Sequence, residues 1–369
     1  MRIMNNNFVR NVSLVLLIVI TLLINGCSGF TPKQAEKENT GLQSNSQTAS
    51  QVVIQDLAGR NVTMPGDVKR ILALHPIPSY ILYRLAPDKV ISKDTVFDKR
   101  YLGKDSDKVY SDADREKLSK LPTTGVFFKG LDLEQLLQLA PDVVITLTKD
   151  PNIESLATTL KRPVVAVSKD TMADYEASMR LIGKIVGNET EADKLADYWH
   201  KTIDEVKSKA DEIPADKRIK VFFAGASDIL TTPGSQTIMA SIVENAGGDN
   251  VAKGLTGAQT NESLAISMEQ ILQWNPEVII VRTQKAKDQI KADTAWKEIN
   301  AVKNNKVYLQ PSYASLDGIT ALMGLVWLEG KLYNNESEFN TYFASKMKEF
   351  YVLFQNYQIT TEQINEVKK

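Results

Sequence analysis

The sequence has little of what metal centres and disulfide frameworks are built from. Its 369 residues contain one cysteine, Cys27, and two histidines, His75 and His200. A single thiol cannot form an intramolecular disulfide, and a caged site for a bare metal ion needs several His or Cys ligands. A formal net charge of −1 also gives no expectation of the concentrated basic surface that nucleic acid requires. Any metal that this protein handles is therefore expected to arrive already chelated, and the protein itself is expected to hold no cofactor.

Catalytic motifs are lacking as well. The chain has no Gly-x-Ser-x-Gly elbow, no Walker loop and no His-Glu-x-x-His sequence. It is 43% hydrophobic, which is enough apolar material for a substantial core. We therefore predict a binding protein that is not an enzyme. A lipid-anchored enzyme or a sensor with the same fold is the alternative.

The first 51 residues read as targeting and tether segments. Residues 1–26 are predicted to be a signal peptide, because the apolar run 12–24 is shorter than the roughly 20 residues of a spanning helix. Residues 23–27, Leu-Ile-Asn-Gly-Cys, resemble the bacterial lipobox, in which the cysteine receives fatty acyl chains such as palmitate. A plain signal peptide or signal anchor is the alternative. Residues 27–51 are polar and predict a flexible tether, so we expect a lipid anchor on the outer face of the cytoplasmic membrane.

Short β-branched runs alternate with helical patterns along the rest of the chain. The runs lack the polar–apolar alternation of one-sided sheets, which indicates parallel sheets covered on both faces. The predicted fold class is α/β, with a small hairpin at its start from 52–54 and 61–63. The predicted strands are 71–74, 142–147, 164–167, 219–224, 277–281 and 306–309.

A long helical stretch, 172–213, separates the third of these strands from the fourth. Its apolar spacing breaks at Gly187 and Asn188 and then resumes. The predicted organisation is therefore an N-terminal α/β lobe (52–170), a connecting helical segment with the long inter-lobe helix (171–213), and a C-terminal α/β lobe with terminal helices (214–369).

The two predicted lobes share an internal repeat. Residues 134–148 align without gaps to residues 269–283, and eight of the fifteen positions are identical. Each copy reads as a short helix, a proline-containing break and a buried strand. Two copies of one unit predict pseudo-twofold lobes with a ligand cleft between them.

The order and spacing of several segments resemble a known family. Over about residues 52–357 the chain is similar to the substrate-binding proteins of iron-complex ABC importers, which handle ferric siderophores, haem and cobalamin. The segments that carry this resemblance are 56–62, 70–74, 141–145, 246–252, 274–280, 301–308 and 327–333. It implies two lobes joined by one long helix, a monomer, and a membrane permease with its ATPase as partners. The cations that recur on the predicted cleft loops favour a ferric siderophore first and haem second, with cobalamin or another metal chelate as the alternative.

The resemblance also implies one docking glutamate in each lobe. The matching positions are Glu134 and Glu269, the paired first residues of the internal repeat. Two like acidic side chains related by pseudo-symmetry suit a pseudo-symmetric or homodimeric permease. The alternative is that both are glutamates favoured by the dipole at a helix start.

Ligand contacts are expected on the loops that follow the strands. Phe127 and Phe128 would form a flat apolar wall, unless one ring is core and one is surface. Arg282 would bind a carboxylate or catecholate, and Tyr313 would bind Fe(III) as phenolate. His75 would be an axial haem ligand or a siderophore contact, facing Tyr313, or else a structural histidine. The full predicted set is His75, Tyr80, Arg100, Phe127, Phe128, Arg282 and Tyr313, with further cations at Lys93, Lys99, Lys129 and Lys149.

The lipid anchor can be tested directly. Cys27→Ala is expected to release the protein from the membrane into the medium or periplasm, because the acyl chains have no other thiol to join. Fractionation and mass spectrometry measure this, with Ser28→Ala as the matched control. An unmodified Cys27 in the native membrane-associated protein would rule out the anchor.

Overall fold

The computed structural model describes residues 51–102, 110–225, 228–256, 263–333 and 336–368. Residues 49–369 form one compact unit. The predicted signal peptide, Cys27 and nearly all of the predicted tether lie outside the described residues. So do Ser227 and residues 259–261, which were expected on cleft loops of the second lobe. The predicted α/β class with mainly parallel sheets is confirmed for the described part of the chain.

The first lobe surrounds a parallel sheet of order β3-β6-β7, preceded by the antiparallel hairpin β1-β2 and flanked by the parallel pair β4-β5. Its elements are β1 (Gln51–Gln55), β2 (Asn61–Pro65), β3 (Ile71–Ala73), α1 (Pro76–Leu85), β4 (Lys93–Asp94), α2 (Thr95–Phe97), a π-helical turn (Asp98–Leu102), α3 (Asp112–Ser119), β5 (Thr123–Thr124), a 3-10 turn (Phe127–Lys129), α4 (Leu133–Leu139), β6 (Val143–Leu147), α5 (Ile153–Leu160) and β7 (Val164–Val167).

Two helices lead out of this lobe, α6 (Met172–Val186) and α7 (Glu189–Asp211). The α6 helix ends at Gly187, whose φ of 71° is left-handed, and the chain turns back at once. The two helices form an antiparallel hairpin, since Tyr175 stacks on Trp199 and Gly183 lies against Ala192. The long inter-lobe helix of the prediction is thus α7, and α6 folds back along it. Helix α6 packs on α1 of the first lobe, whereas α7 packs on α12 (Ala321–Tyr333) of the second.

The second lobe contains a four-stranded parallel sheet of order β10-β8-β12-β13 and a small antiparallel pair, β9-β11. Its elements are a 3-10 turn (Ala215–Lys217), β8 (Lys220–Phe223), β9 (Thr231–Thr232), α8 (Ile238–Asn245), β10 (Asp249–Asn250), β11 (Leu264–Ala265), α9 (Met268–Trp274), β12 (Val278–Val281), α10 (Gln284–Ala292), a 3-10 turn (Thr294–Trp296), α11 (Asn300–Lys303), β13 (Val307–Leu309), α12, α13 (Glu336–Gln355) and α14 (Thr361–Lys368). All six predicted strands are present, each within two residues of its expected ends.

One of the C-terminal helices, α13, reaches back to the first lobe. The end of α13 crosses back to the first lobe, where Tyr80 donates a hydrogen bond from its hydroxyl to the Phe354 carbonyl at 2.8 Å. Arg84 donates to the neighbouring Leu353 carbonyl at 2.7 Å. The main core cluster accordingly runs through both lobes and the α6–α7 hairpin. The lobes are therefore held together by α13 as well as by the hairpin.

The internal repeat is also a repeat of structure. The Asp132 and Ser267 side chains cap α4 and α9, and each accepts a hydrogen bond from the backbone N–H three residues on. Both helices end in a left-handed residue, Ala140 at φ 43° and Asn275 at φ 47°. The next acid in each copy then accepts a hydrogen bond from the start of a neighbouring strand, Asp142 from Lys69 and Arg70, and Glu277 from Lys220. The pseudo-twofold relation predicted from the sequence is thus carried down to individual hydrogen bonds.

No helix within the described residues is long and apolar enough to cross a membrane.

The close approach of α6 and α7 yields a stability prediction. A Cβ atom built at Gly183 would come within 2.2 Å of the Ala192 Cβ, so Gly183→Ala must force the hairpin apart. Alanine favours a helix over glycine by about 1 kcal/mol, but overpacking costs about 1–3 kcal/mol, and we expect net destabilisation. Urea unfolding followed by circular dichroism measures it. Lys184→Ala, on the exposed face of the same helix, is the control. A midpoint at or above that of the wild type would contradict the close packing.

Candidate functional site

A cavity of about 240 Å³ lies at the carboxyl ends of the first-lobe strands. Carboxyl edges of parallel sheets are where such folds bind ligands, because the loops that leave the strands converge there. The loops after β3, β5, β6 and β7 all contribute. The lining residues are His75, Phe127, Phe128, Leu147, Thr148, Lys149, Lys169 and Asp170. Three of the predicted contacts, His75, Phe127 and Phe128, are therefore brought together.

His75 caps α1 and also faces the cavity. It follows β3, and its Nδ1 accepts a hydrogen bond at 3.2 Å from the backbone N–H of Ile77. That bond requires an unprotonated Nδ1. Burial, followed by the charge of Lys169, lowers the pKa of His75 to about 3 against the opposing charge of Asp317. The imidazole is thus neutral at physiological pH, with Nε2 as its second polar atom.

Phe127 and Phe128 form an apolar wall beside this imidazole. Their ring centroids lie 6.2 Å and 5.9 Å from the His75 ring and 5.3 Å from each other, edge to face. Phe127 also packs against the core, whereas Phe128 is 51% exposed. Both sequence interpretations therefore hold in part. One ring belongs to the core and one to the surface, and the two together line the cavity.

Cationic side chains from both lobes converge on Asp317. Arg282, which follows β12, donates to the Asp317 carboxylate at 3.2 Å, and Arg100 of the first lobe donates to the Asp317 carbonyl at 3.2 Å. The Arg100 guanidinium lies so close to Gly318 that a Cβ atom there would be 3.1 Å away. Burial alone would raise the pKa of Asp317, but the charges of Arg100, Lys169 and Arg282 outweigh it and lower the pKa to about 2. The carboxylate is therefore ionised at physiological pH, and the bond from Arg100 to the Asp317 backbone carbonyl joins the two lobes.

Two of the predicted ligand contacts are placed elsewhere. Tyr80 is 1% exposed, in a cluster of rings with Tyr101 and Tyr110, and its hydroxyl is bound to Phe354. It points into the core because it lies in the first turns of α1, whose residues are nearly all buried. The interpretation of Tyr80 as a ligand contact is therefore wrong.

Tyr313 does not line the cavity beside His75. It packs against the main core cluster, and its carbonyl accepts a hydrogen bond from the Tyr351 hydroxyl at 2.6 Å. The second-lobe group whose charge reaches His75 is Asp317. The expectation that His75 faces Tyr313 across the cleft stays a prediction.

The predicted lysines divide in the same way. Lys149 lines the cavity and pairs with Asp170 at 2.9 Å, whereas Lys129 is exposed over the Phe128 ring. Lys93 is buried, because its ammonium donates to the carbonyls of Leu118, Ser119 and Leu121. Lys99 is exposed. The cationic character of the cleft therefore rests mainly on Arg100, Lys149, Lys169 and Arg282.

Sequence reasoning missed two residues of the site, Lys169 and Asp317. Both lie in loops with no motif, although Lys169 follows the last predicted strand of the first lobe. Tyr175, in the predicted helical stretch 172–213, lies in the core. Its ring is fully buried against Trp199, at 5.0 Å, and its hydroxyl has no hydrogen-bond partner within the described residues. Burial raises the pKa of this hydroxyl, and Asp317 raises it further. Tyr175 is thus a neutral, fully buried group of the α6–α7 packing and does not line the cavity.

Within the residues that the structure describes, no group of three or more His, Cys, Asp or Glu side chains is placed to hold a metal ion. The polar groups of the cleft are mostly cationic, which suits oxygen atoms of a ligand better than a bare cation. Chemically, the site offers an apolar ring wall, one neutral imidazole and a fork of guanidinium and ammonium groups.

Glu134 and Glu269 lie away from this cleft. Each is exposed and occupies the first turn of its helix, α4 or α9. These helices precede β6 and β12 and so sit at the amino ends of the strands, whereas the cavity is at the carboxyl ends. A hydrogen bond from its own backbone N–H, then one from Ser267, holds the pKa of Glu269 below its usual value. The two predicted docking residues thus occupy equivalent positions on the two lobes.

Comparison with known proteins agrees with this geometry. The model of a family described as periplasmic binding protein matches residues 71–314. The molybdate-binding protein MolA of Haemophilus influenzae is 28% identical over 309 residues, covering 76% of this chain and 84% of that protein. The Fe(3+)-citrate-binding protein YfmC of Bacillus subtilis is 24% identical over 321 residues, covering 84% and 90%. A solved ABC transporter solute binding protein from Sulfurospirillum deleyianum superposes with a TM-score of 0.72 at 24% identity, covering 85% of this chain and 98% of that one.

The buried imidazole yields a prediction about pH. In the unfolded chain His75 titrates near 6.5, and in the folded chain near 3. Between these values the unfolded state binds a proton that the folded state does not, so the free energy of unfolding falls as the pH drops below 6.5. The loss from this residue is about 2 kcal/mol at pH 5. Asp317, lowered from 3.8 to about 2, remains ionised in both states at that pH and adds little.

His75→Asn keeps an acceptor for the Ile77 N–H but removes the titration. Its unfolding midpoint in urea should therefore fall less between pH 7 and pH 5 than that of the wild type. His200→Asn, at an exposed site, is the matched control. Equal losses in His75→Asn and the wild type would show that His75 is not buried in its neutral form.

Proposed function

Since this chain belongs to the periplasmic binding protein family, we propose that it captures a compact ferric complex with oxygen chelators and delivers it to the permease of an ABC importer. The family and its structural neighbours are substrate-binding proteins of ABC transporters, which work outside the cytoplasm with a permease and an ATPase. The chemical class of the ligand is the proposed part. The observation that supports it best is the convergence of Arg100, Lys169 and Arg282 on one carboxylate in the cleft.

The charges in the cleft favour an anionic ligand. Three cations surround Asp317, and the nearby Lys149 is already paired with Asp170. The cations stand in a place where partial burial strengthens every electrostatic interaction, including one with an anionic ligand. Ferric ions chelated by carboxylate or hydroxamate oxygens form anionic or oxygen-rich complexes that accept hydrogen bonds from guanidinium groups. Cobalamin is nearly neutral, so its electrostatic attraction to these cationic groups would be weaker.

The size of the cavity favours a small complex. Its volume, about 240 Å³, lies below the roughly 300–1,000 Å³ of common ligand pockets. A citrate-type ferric chelate suits it better than a large siderophore. Haem, a larger planar ligand, also suits a cavity of this volume less well. Haem is therefore a weaker candidate ligand than the compact ferric chelate.

An oxyanion is the second candidate. The cavity is small, the cleft is cationic, and a relative that is 28% identical is named as binding molybdate. A tetrahedral dianion would compete for the same Arg282 and Lys169 groups. The two candidates share the chemistry of an anionic, oxygen-rich metal species and differ in size and metal.

Asp317 acts in this proposal as an internal counter-anion. Without ligand it neutralises part of the charge of Arg100 and Arg282 and keeps the two lobes in contact. An incoming anion must share those cations with it, so Asp317 limits affinity while it preorganises the guanidinium groups. Phe127 and Phe128 would cover the apolar edge of the chelate, and His75 would offer Nε2.

The remaining parts of the proposal concern location and docking. We propose a monomer, tethered through acylated Cys27 to the outer face of the membrane, that presents Glu134 and Glu269 to arginine pockets of the permease. Both glutamates are exposed, and they lie on opposite lobes at equivalent positions. This arrangement leaves the cleft open to the ligand at the other edge of the sheets.

A ligand screen with charge variants tests the proposal. Residues 52–368 would be titrated by calorimetry with ferric citrate, a ferric hydroxamate, molybdate, haem and cobalamin. Ferric citrate is expected to bind most tightly, and Arg282→Gln should weaken it about tenfold or more by removing a charge-assisted hydrogen bond. Asp317→Asn should change affinity in the opposite direction, tightening ferric citrate several-fold, because the competing carboxylate is gone.

Lys253→Gln removes an exposed cation of the same lobe and is the control for Arg282→Gln. Stronger binding of molybdate than of any ferric complex would select the second candidate. Binding of cobalamin or haem alone, with Arg282→Gln equal to the wild type, would overturn the anionic ligand class altogether.

A further inference from the structure

Few large apolar side chains are strongly exposed, and two of them are partners in the internal repeat. Leu137 is 49% exposed and Leu272 is 42% exposed, and they are separated by the same 135 positions as Glu134 and Glu269. Within the described residues the exposed large hydrophobics are Val52, Val53, Phe128, Leu133, Leu137, Leu272 and Val352. Only Leu137 and Leu272 among them form a repeat pair. An exposed leucine retained at the same place in both lobes calls for a shared explanation.

Each leucine shares a helix face with one of the proposed docking glutamates. Glu134 and Leu137, like Glu269 and Leu272, are three positions apart, a spacing that places side chains next to each other on a helix. The two helices have the same length, side-chain N-caps and left-handed ends. Leu136 and Ile271 point inward in both. The two lobes therefore present the same pair, one carboxylate and one isobutyl group, in the same orientation relative to their sheets.

We infer that Leu137 and Leu272 form, with Glu134 and Glu269, a two-part contact on each lobe that binds an apolar recess beside a cation on each half of the permease. This inference rests on the proposed function, because it takes the permease as the partner. The carboxylate supplies orientation and a salt-sensitive attraction, and the leucine supplies affinity that salt does not screen. Leu133, 40% exposed one turn before Leu137, extends the apolar part on the first lobe, whereas its repeat partner Met268 packs against the core.

Charge decides against a second copy of this chain as the occupant. Both surfaces are acidic at their centre, so a symmetric pairing of two copies would place glutamate against glutamate. A pseudo-symmetric or homodimeric permease with a cation in each half avoids that repulsion. Two separate contacts of one kind, on lobes fixed by α6 and α7, also suit a partner that repeats its own surface.

The experiment compares three sets of variants for binding to the importer's permease–ATPase complex in nanodiscs. Leu137→Ala, Leu272→Ala and their double variant test the apolar part, and Glu134→Ala with Glu269→Ala tests the acidic part. Val352→Ala, at a 51% exposed valine of α13, is the matched control. Each leucine variant should weaken binding about fivefold, the expected effect of losing a half-exposed leucine contact, and the double variant about 25-fold.

Salt and ligand measurements separate the two parts. The loss from the leucine variants should stay the same between low and high salt, whereas the loss from the glutamate variants should shrink. Affinity for ferric citrate should be unchanged in every variant, since these residues are distant from the cleft, and circular dichroism should show the wild-type fold in each. Losses restricted to the leucine and glutamate sets, and absent in Val352→Ala, support the inference.

Leucine variants that bind like the wild type, while the glutamate variants lose binding, would overturn the apolar contact and leave the proposed docking by glutamate intact. Glutamate and leucine variants that all bind like the wild type would instead overturn docking through these helices. Equal losses in Val352→Ala would show that the leucine effect is not specific to this surface. A change in ferric citrate affinity would place the residue in the cleft and refute the assignment.

Discussion

The packing of α6 on α7 is the constraint on which the rest of the structure depends. Gly183 lets the two helices approach until Ala192 occupies the space of a missing side chain, and Tyr175 stacks on Trp199 at 5.0 Å. Because α6 also packs on the first lobe and α7 on the second, this one contact sets the relation between two independent sheets. Dense apolar packing resists continuous deformation, so the hairpin holds the cleft at a defined width. The end of α13 also joins the lobes, because the Phe354 carbonyl accepts a hydrogen bond from Tyr80 of the first lobe.

The electrostatics of the cleft follow from that fixed relation. Arg100 comes from the first lobe and Arg282 and Asp317 from the second, and they meet only because the lobes are held in register. Three cations around one carboxylate lower its pKa to about 2. His75, buried and bonded to Ile77, stays neutral beside them. The cleft thus places guanidinium and ammonium groups beside an apolar wall, and this combination is the basis of the proposed ligand class.

The internal repeat determines which residues are exposed at the amino ends of the strands, on the side away from the cleft. The same helix, left-handed end and buried strand occur in both lobes, down to the acid that caps the neighbouring strand. A duplicated unit repeats its exposed residues together with its core, so Glu134 and Leu137 have counterparts in Glu269 and Leu272. The candidate cleft is consequently asymmetric, built from unlike loops, whereas the proposed docking surface is symmetric, built from like helices.

The sequence by itself determined the elements whose signal is local or repeated. Continuous β-branched runs predicted the six strands, and the break at Gly187 predicted the turn between α6 and α7. The repeat identified Glu134 and Glu269 as equivalent positions. Residues next to strand ends, such as His75, Phe127, Phe128 and Arg282, were also within reach, because parallel strands deliver such residues to one edge. Only the tertiary structure decided what depends on contacts between distant segments. It buried Tyr80 under α13 and brought Lys169 and Asp317 to the cleft. Their roles arise from packing and charges between elements that are far apart in the chain, as in the pairs Tyr80–Phe354 and Lys169–Asp317.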